Sequence, residues 1–314
     1  KAPSKDANPR HFLDGIDGQA FTAKGSGRLE WAQALIAKDN PLTSRVMVNR
    51  LWHHLFGRGI VASPNNFGKL GSLPTHPELL DYLAKDFVNK GWSVKQAIRQ
   101  MVLTSTYQMS SKPSVGVDEV DPQNELLQHM PVRRMTAEMI RDNILVITGT
   151  LDSKLYGPSI AANVNGMPGS RAKPKKSGSV DGANRRSVYQ EIRRSYLPPF
   201  FMAFDMPNAT ESIGKRNITN VPAQSLALMN DEFVQLQAKR WATKYAAETR
   251  DLKSKVNDMH QEAFARPATA EELAWSEAAI KDIARMKKLK INSPELWQEF
   301  CHIMLNRKEF IYLF

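Results

Sequence analysis

One stretch near the start of the chain, residues 39–61, constrains the fold more than any other. Within it, apolar side chains recur at the spacing of one helix face: Val48, Leu51, Trp52, Leu55 and Phe56. Asn40 can cap the helix, Pro41 suits the first helical position, and Gly57 can end the helix in the left-handed conformation. The pattern predicts a helix over residues 41–56, around which the first half of the chain is organised.

The same two signals, a capping residue and then apolar residues at helical spacing, recur along the chain. They predict helices over residues 28–38, 77–90, 94–102, 135–148, 221–229, 231–248 and 252–264, a short one after Pro122, and others opened by Thr269 and Ser293. Alternation typical of strands is almost absent, and residues 187–193 are the best β candidate. We expect a mainly α, multi-helix globular domain with long loops and at most a minor β element.

This pattern divides the chain into four parts. Residues 1–27 form a polar linker or arm, and residues 28–150 form an N-terminal helical half. Residues 151–186 form a basic flexible loop with little to bury, which we expect to be mobile unless something binds it. Residues 187–314 form a C-terminal helical half, which we expect to pack with the first as one unit.

Composition excludes several classes of protein. No run of about 18 apolar residues is present, so we expect no membrane span. Cys301 is the only cysteine, which excludes an internal disulfide, a CxxC zinc site and a CxxCH haem attachment, and its apolar helical neighbours predict a buried, inert thiol. The chain begins without Met and without a signal-peptide pattern, so we expect it to be part of a longer precursor.

The net charge of +11 is concentrated in one segment. Between residues 157 and 186, one acid, Asp181, faces six basic residues, and these are the predicted anion-binding residues: Arg171, Lys173, Lys175, Lys176, Arg185 and Arg186. Such a segment attracts anions by its field, and the attraction weakens with salt. Its ligand classes are a sulfated or uronate-rich polysaccharide, an acidic protein domain and nucleic acid. Nucleic acid is the weakest, because no aromatic residues are interleaved for stacking. A solvated loop without a partner is the alternative.

Two groups of polar residues accompany the predicted helices. Arg45, Asn49 and His53 run as a stripe, four residues apart, beside the apolar face of the helix over 41–56. This stripe either satisfies buried groups or lines a site. A second cluster surrounds the start of the helix over 135–148 and comprises Arg133, Arg134, Glu138, Arg141 and Asp142. Here we prefer a buried ion network with structural duties over a pocket in which paired arginines bind an anion.

Three residues are the candidates for catalysis, namely His53, His76 and Asp81. They could meet across the Gly-rich loop and do general acid–base work. His53 and His54 point about 100° apart on a helix and cannot bind one metal together. We predict no metal site. The structural interpretation is that His76 helps a helix to start and that His53 lies at the edge of the core.

Several stretches together resemble one family. They are DNPLTSRVMVNRLWHHLFGRGIV, the run over residues 67–108, DPQNELL, RRMTAEMIRDNIL, RRSVY, FDMP, VPAQSLALMN and the final NRKEF. In this order they resemble the planctomycete-specific cytochrome-associated C-terminal domain of unknown function. The resemblance covers nearly the whole chain from about Arg28 onward.

The resemblance implies a C-terminal module of a large extracytoplasmic protein, periplasmic or secreted. Upstream domains of the same precursor are its implied partners, one of them binding c-type haem, and this chain itself is expected to hold no cofactor. The family supplies no catalytic residues. We therefore carry two hypotheses. The first is a non-catalytic interaction or assembly module that presents a basic surface to an anionic partner. The second is an enzyme domain, hydrolytic or oxidative, that acts on polysaccharide with a His/Asp/Arg pocket.

Overall fold

The computed structural model describes residues 10–17, 20–22, 25–165, 167, 173–194, 196–210 and 212–314, apart from the side chains of Asp17 and Asp118. The fold is mainly α, as predicted. The chain forms two compact units, an N-terminal unit that ends at Pro131 and a C-terminal unit over Val132–Leu313. This boundary lies before residue 150, where the sequence places the end of the first helical half.

The N-terminal unit is built on the predicted organising helix. Its helices are α1 (Asp14–Asp17), α2 (Arg28–Leu35), α3 (Pro41–Phe56), α4 (Pro77–Asn89), α5 (Val94–Val102) and α6 (Val117–Val120). Helix α3 packs against α4 and α5, and Val48, Phe56 and Met101 are each 1% exposed in the resulting core. The bounds of α3 are those predicted, because the Asn40 side chain accepts from Leu42 N and Gly57 adopts a φ of 83°.

The C-terminal unit has a larger core. Its helices are α7 (Ala137–Ile147), α8 (Pro199–Ala203), α9 (Pro222–Asn230), α10 (Glu232–Ala247), α11 (Leu252–Phe264), α12 (Ala270–Lys287) and α13 (Pro294–Asn306), with 3-10 turns at Gly182–Asn184, Ser187–Tyr189 and Lys308–Ile311. Helices α10 and α13 pack together along their lengths. Tyr245 of α10 stacks on Trp297 of α13 at 5.8 Å between ring centroids, and both are fully buried. Cys301 is buried in the same core, as predicted, and burial raises the pKa of its thiol.

The predicted strand at residues 187–193 is wrong. Ser187–Tyr189 forms a 3-10 turn, because the Ser187 backbone N–H and hydroxyl both donate to the carboxylate of Asp142. Among the described residues the only sheet pairs β1 (Arg133–Arg134) with β2 (Tyr312–Leu313), and the two strands run antiparallel. A two-residue strand is too short to produce an alternating pattern, so sequence periodicity could not predict it.

The predicted helix after Pro122 is also wrong. The short helix α6 precedes this position, within residues predicted to be loop, and ends before Asp121. The Asp121 carboxylate accepts hydrogen bonds from Glu125 N at 2.9 Å and Leu126 N at 2.8 Å. An aspartate that binds backbone N–H groups in this way favours a turn over a helix.

The basic segment contains two buried apolar residues where the structure describes it, and its expected mobility stays a prediction. Ala162 and Val164 are each 1% exposed and form a small cluster with Tyr196, so the segment does bury apolar groups. Its backbone also pairs with later residues: Ile160 N donates to Tyr189 O, and Glu191 N donates to Ile160 O, each at 2.8 Å. No helix among the described residues has both the length and the apolar character needed to cross a membrane.

An ion network joins helices α11 and α12 to the end of the chain. The predicted capping box is present, since Thr269 and Glu272 exchange hydrogen bonds at the start of α12. The Glu272 carboxylate also accepts from Arg266 and Arg307, and hydrogen bonding to Arg266 holds its pKa far below the usual range. Arg307 Nη1 donates to Nε2 of the buried His260 at 2.9 Å, and the other ring nitrogen contacts the Val256 carbonyl. His260 is therefore held as a neutral imidazole.

This geometry predicts acid sensitivity of the C-terminal unit. Burial lowers the pKa of His260 below its ordinary value of 6.5, so the unfolded chain binds a proton at a pH at which the folded chain does not. The free energy of unfolding should therefore fall as the pH drops through 6.5 towards the lowered pKa of the folded state. His260→Gln should flatten this fall in urea denaturation curves recorded between about pH 7 and 5. His302→Gln is the control, and an unchanged slope in the His260 variant would contradict the assignment.

Candidate functional site

Asn49 fixes the Gly-rich loop that follows helix α3. This fully buried side chain accepts from Val61 N at 2.8 Å and donates to Val61 O at 3.0 Å, as a neighbouring strand would. Gly59 lies against it, and a β-carbon at Gly59 would come within 2.8 Å of the Asn49 amide nitrogen. The polar stripe of α3 therefore satisfies buried backbone groups at this position, and the loop carries Arg58 in a fixed place.

Two further segments lie beside this loop. Thr75, at the end of the Gly-rich stretch, donates from its backbone N and its hydroxyl to the Ile60 carbonyl, at 3.0 and 3.3 Å. The turn that begins at Asp121 is held by Asn124, whose side chain accepts from Gln128 N and donates to the His129 carbonyl, each at 2.8 Å. This turn carries Glu125.

Together these segments form a cleft of about 200 Å³. Its polar rim contains an ion pair in which Arg58 Nη2 lies 2.7 Å from Glu125 Oε1, with the two side chains 45% and 41% exposed. One wall is Trp52 of α3, whose ring stacks on Phe56 at 4.1 Å between centroids. The other lining residues are Gly59, Ile60, Thr75, His76, Leu79, Thr106, Asn124, Leu126 and Leu127.

Of the three predicted catalytic residues, one lines this cleft. His76 does so, and its Nδ1 lies 3.0 Å from the Thr75 hydroxyl. It is the N-cap residue at which α4 begins, and its carbonyl accepts from Leu80 N at 3.1 Å, whereas its side chain makes no capping hydrogen bond. Asp81 instead forms an ion pair with Arg45 at 2.6 Å, and this hydrogen bond lowers its pKa. In the described part of the chain, no three or more His, Cys, Asp or Glu side chains are placed to hold a metal ion.

The predicted polar cluster of the C-terminal unit separates into two anchors. In the first, Arg134 donates to the carbonyls of Thr219 and Phe204 and pairs with Asp205 at 2.6 Å, with 3% of its side chain exposed. Burial alone would raise the pKa of Asp205, but hydrogen bonds from Thr219 and Arg134 outweigh it and keep that pKa low. Glu138, another member of the predicted cluster, pairs with Arg216 at 2.7 Å.

Arg141 is the second anchor, and it holds the basic segment. Its Nη1 donates to the Arg185 carbonyl at 2.8 Å and to the Ser187 hydroxyl at 3.1 Å, while Nη2 donates to the Asp181 carbonyl at 2.7 Å. Burial lowers the pKa of Arg141 to about 10, so it is charged at neutral pH. Gly182 lies against the guanidinium, where a β-carbon would come within 2.6 Å of Nη2. Both anchors bind this chain's own carbonyls.

The six predicted anion-binding residues have different environments. Arg185 is buried: its Nη2 donates to the carbonyls of Lys154 and Tyr156, at 2.9 and 2.7 Å, and its guanidinium lies 3.8 Å from the centre of the Tyr189 ring. Lys173 donates to the Met167 carbonyl. Three residues are exposed, namely Lys175, Lys176 and Arg186. Arg171 lies outside the described residues.

The sole acid among residues 157–186 is neutralised from elsewhere in the unit. The Asp181 carboxylate pairs with Arg240 of α10 at 2.9 Å, and Arg240 also donates to the Asn184 side chain at 2.7 Å. The exposed cations of the segment therefore keep their charge surplus. Arg186 has one acidic neighbour, Asp142, at 3.8 Å, and its side chain remains 52% exposed.

These observations define a mainly α protein with a polar cleft in one unit and an anchored basic surface in the other. The chain belongs to the PSD1 family, described as a protein of unknown function (DUF1553), whose family model matches residues 27–280. A domain of unknown function, as the resemblance implied, is therefore confirmed. No curated protein and no solved structure matches the chain.

The cleft was missed by reasoning from the sequence. Its ion pair joins Arg58 to Glu125, which are far apart along the chain, and only packing brings them together. A partial signal existed, since the stretches FGRGIV, LPTHPELL and DPQNELL each contribute lining residues. All three had been singled out for the family resemblance, but not for their proximity.

The role of Asn49 predicts a local loss of stability. Asn49→Ala leaves the N–H and C=O of the buried Val61 without partners and should lower the free energy of unfolding by about 2–4 kcal/mol. Hydrogen exchange at the Val61 amide should accelerate as well. The control is Asn89→Ala at an exposed position, expected to change stability by less than about 0.5 kcal/mol. Unchanged Val61 protection in Asn49→Ala would contradict this role.

The role of Arg141 predicts that lysine cannot replace it. A single ammonium group cannot reach the Arg185 and Asp181 carbonyls together, so Arg141→Lys should lower the free energy of unfolding by about 2–4 kcal/mol. Arg285→Lys, at a position 78% exposed, is the matched control and should be nearly neutral. Urea denaturation of both variants measures the difference. Equal stabilities would show that the anchor is dispensable.

Proposed function

We propose that this chain is a non-catalytic interaction module whose C-terminal unit presents a basic surface to an anionic partner. The surface consists of the exposed side chains of Lys175, Lys176 and Arg186. The observation that carries the proposal is the anchoring of their segment. Arg141 donates to the carbonyls of Asp181 and Arg185, so that the adjacent Arg186 projects from a fixed backbone.

Anchoring favours binding because it lowers the entropy lost when the surface meets a ligand. A mobile loop would have to be ordered by its partner. Here the segment is already held in place, since Asp181 forms an ion pair with Arg240 and the Arg185 guanidinium stacks on the Tyr189 ring. Exposed lysines and arginines without a concave pocket suit a repeating polyanion, which can contact them in several registers.

Sulfated polysaccharide is the ligand class that we put first, with an acidic protein domain as the other anionic partner. Both would be bound through charge, but a sulfated polymer offers a dense, regular array of strongly acidic groups. Following the family resemblance, we further propose that the module works outside the cytoplasm, in a planctomycete protein whose upstream domains include a c-type cytochrome. This chain has one cysteine and no CxxCH sequence, so such a haem would belong to another domain.

The alternative, an enzyme domain acting on polysaccharide, is supported less well. It needs His53, His76 and Asp81 to converge in one pocket. Only His76 lines the cleft, and the Asp81 carboxylate is committed to Arg45. Two arginines of the predicted polar cluster, Arg134 and Arg141, donate to backbone carbonyls.

The proposal predicts salt-sensitive retention on immobilised dextran sulfate and no retention on uncharged dextran. A variant carrying Lys175→Gln, Lys176→Gln and Arg186→Gln should bind at least about fivefold more weakly at low salt, because each exposed ion pair contributes up to about 1 kcal/mol. The matched control carries Lys253→Gln, Lys290→Gln and Arg285→Gln, the same charge change elsewhere in the unit.

Equal loss in both variants would indicate a general effect of net charge and would contradict a defined surface. Absence of retention at low salt would exclude sulfated polysaccharide. Binding that is lost only in the first variant would support the proposal, and its dependence on NaCl concentration would measure the electrostatic share.

A further inference from the structure

The cleft of the N-terminal unit has a chemistry different from that of the basic surface. Its rim charges are balanced, because Arg58 and Glu125 pair with each other at 2.7 Å. Its wall includes an indole ring, that of Trp52, backed by the stacked ring of Phe56. A balanced rim does not select for a charged ligand, and an aromatic wall favours a ligand with an apolar face.

The size of the cleft restricts its ligand to a small ring. A closed cavity of about 150 Å³ in another protein holds one benzene molecule. The open cleft here, of about 200 Å³, is large enough for one six-membered ring with substituents. Longer chains could enter only by their ends or by a single unit.

The polar groups at the rim offer both kinds of hydrogen-bond partner. Arg58 is a donor only and the Glu125 carboxylate is an acceptor only. The Thr75 hydroxyl donates to Ile60 O and contacts Nδ1 of His76 at 3.0 Å, so Nε2 is the ring nitrogen of His76 that a ligand can reach. Adjacent hydroxyl groups, each of which donates and accepts, match such a set.

We propose that this cleft binds one neutral pyranose unit of a saccharide, with its C–H face on Trp52 and adjacent hydroxyls on Arg58 and Glu125. The face of an aromatic ring is electron-rich and attracts the slightly positive C–H groups on one side of a pyranose. Charge-assisted hydrogen bonds from a guanidinium and to a carboxylate are the stronger kind, and they fix the orientation of the ring.

The Arg58–Glu125 ion pair can exchange its own contact for hydrogen bonds to ligand hydroxyl groups. Both side chains are nearly half exposed, and such surface pairs contribute little to stability, so hydroxyl groups can take over their hydrogen bonds at small cost. The backbone beneath them is fixed independently, by Asn49 under Arg58 and by Asp121 under Glu125. The site is therefore formed before a ligand arrives, and only the side-chain ends need to adjust.

The test uses saturation-transfer NMR with the whole chain and four probes: the methyl glycosides of glucose, galactose, mannose and xylose. At least one should bind with a Kd of about 1 mM, as expected for a ligand of this size. Glu125→Gln should weaken that binding at least about tenfold without a change in melting temperature. Glu119→Gln, at an exposed position of the same unit, is the control and should bind as the wild type does.

Replacement of the wall gives a second variant. Trp52→Leu should abolish binding, whereas Trp31→Leu, at a tryptophan 52% exposed elsewhere in the unit, should not. Because Trp52 also packs against Phe56, its variant is interpreted together with Glu125→Gln, which leaves the core intact. Loss of binding in both cleft variants and in neither control supports the site.

Three outcomes would overturn the proposal: no binding of any probe at about 50 mM (well above the expected Kd), binding unaffected by Glu125→Gln, or binding only when methyl glucuronide replaces the neutral probes. The result is independent of the basic surface. Cleft variants should be retained on dextran sulfate as the wild type is, and the variant lacking Lys175, Lys176 and Arg186 should bind the methyl glycosides normally. Failure of either proposal can therefore be recognised separately.

Discussion

Hydrogen bonds from buried polar side chains to loop carbonyls hold much of this structure together. Long loops contain carbonyl groups that no helix or strand satisfies, and a buried carbonyl without a partner is costly. Arg141, Arg134 and Arg185 each donate to two such carbonyls. Lys255 does the same at the end of helix α10, where it donates to the carbonyls of Tyr245 and Glu248. A guanidinium suits this work because its fixed fork reaches acceptors in different directions.

The need to satisfy loop carbonyls also explains why the two proposed binding surfaces lie on irregular segments. A helix satisfies its own backbone and can carry function only on its side chains, whereas a loop must first be fixed. In the N-terminal unit, Asn49 fixes the Gly-rich loop and so places Arg58. In the C-terminal unit, Arg141 fixes the basic segment and so places Arg186. In each unit, a buried polar side chain on a helix thus holds a neighbouring loop in place.

The long helices could be predicted from the sequence, and most of the loops could not. Helix α3 was correct at both ends because Asn40, Pro41 and Gly57 are local signals, and the capping residues Thr269 and Ser293 worked in the same way. The loops depend on partners distant in sequence, such as the carbonyls of Asp181 and Arg185, which lie 40 and 44 residues from Arg141. A contact between residues so far apart in the chain leaves no periodic pattern in the sequence.

The basic segment and the cleft differ in the same way. The basic segment was visible as composition, since the charges of Lys175, Lys176 and Arg186 follow closely on one another. The cleft was not, because its ion pair and its aromatic wall combine two stretches that are distant in sequence, residues 39–61 and 121–127. A charge surplus gives long-range attraction with little geometric choice, whereas a charge-balanced cleft acts only at contact and discriminates by shape.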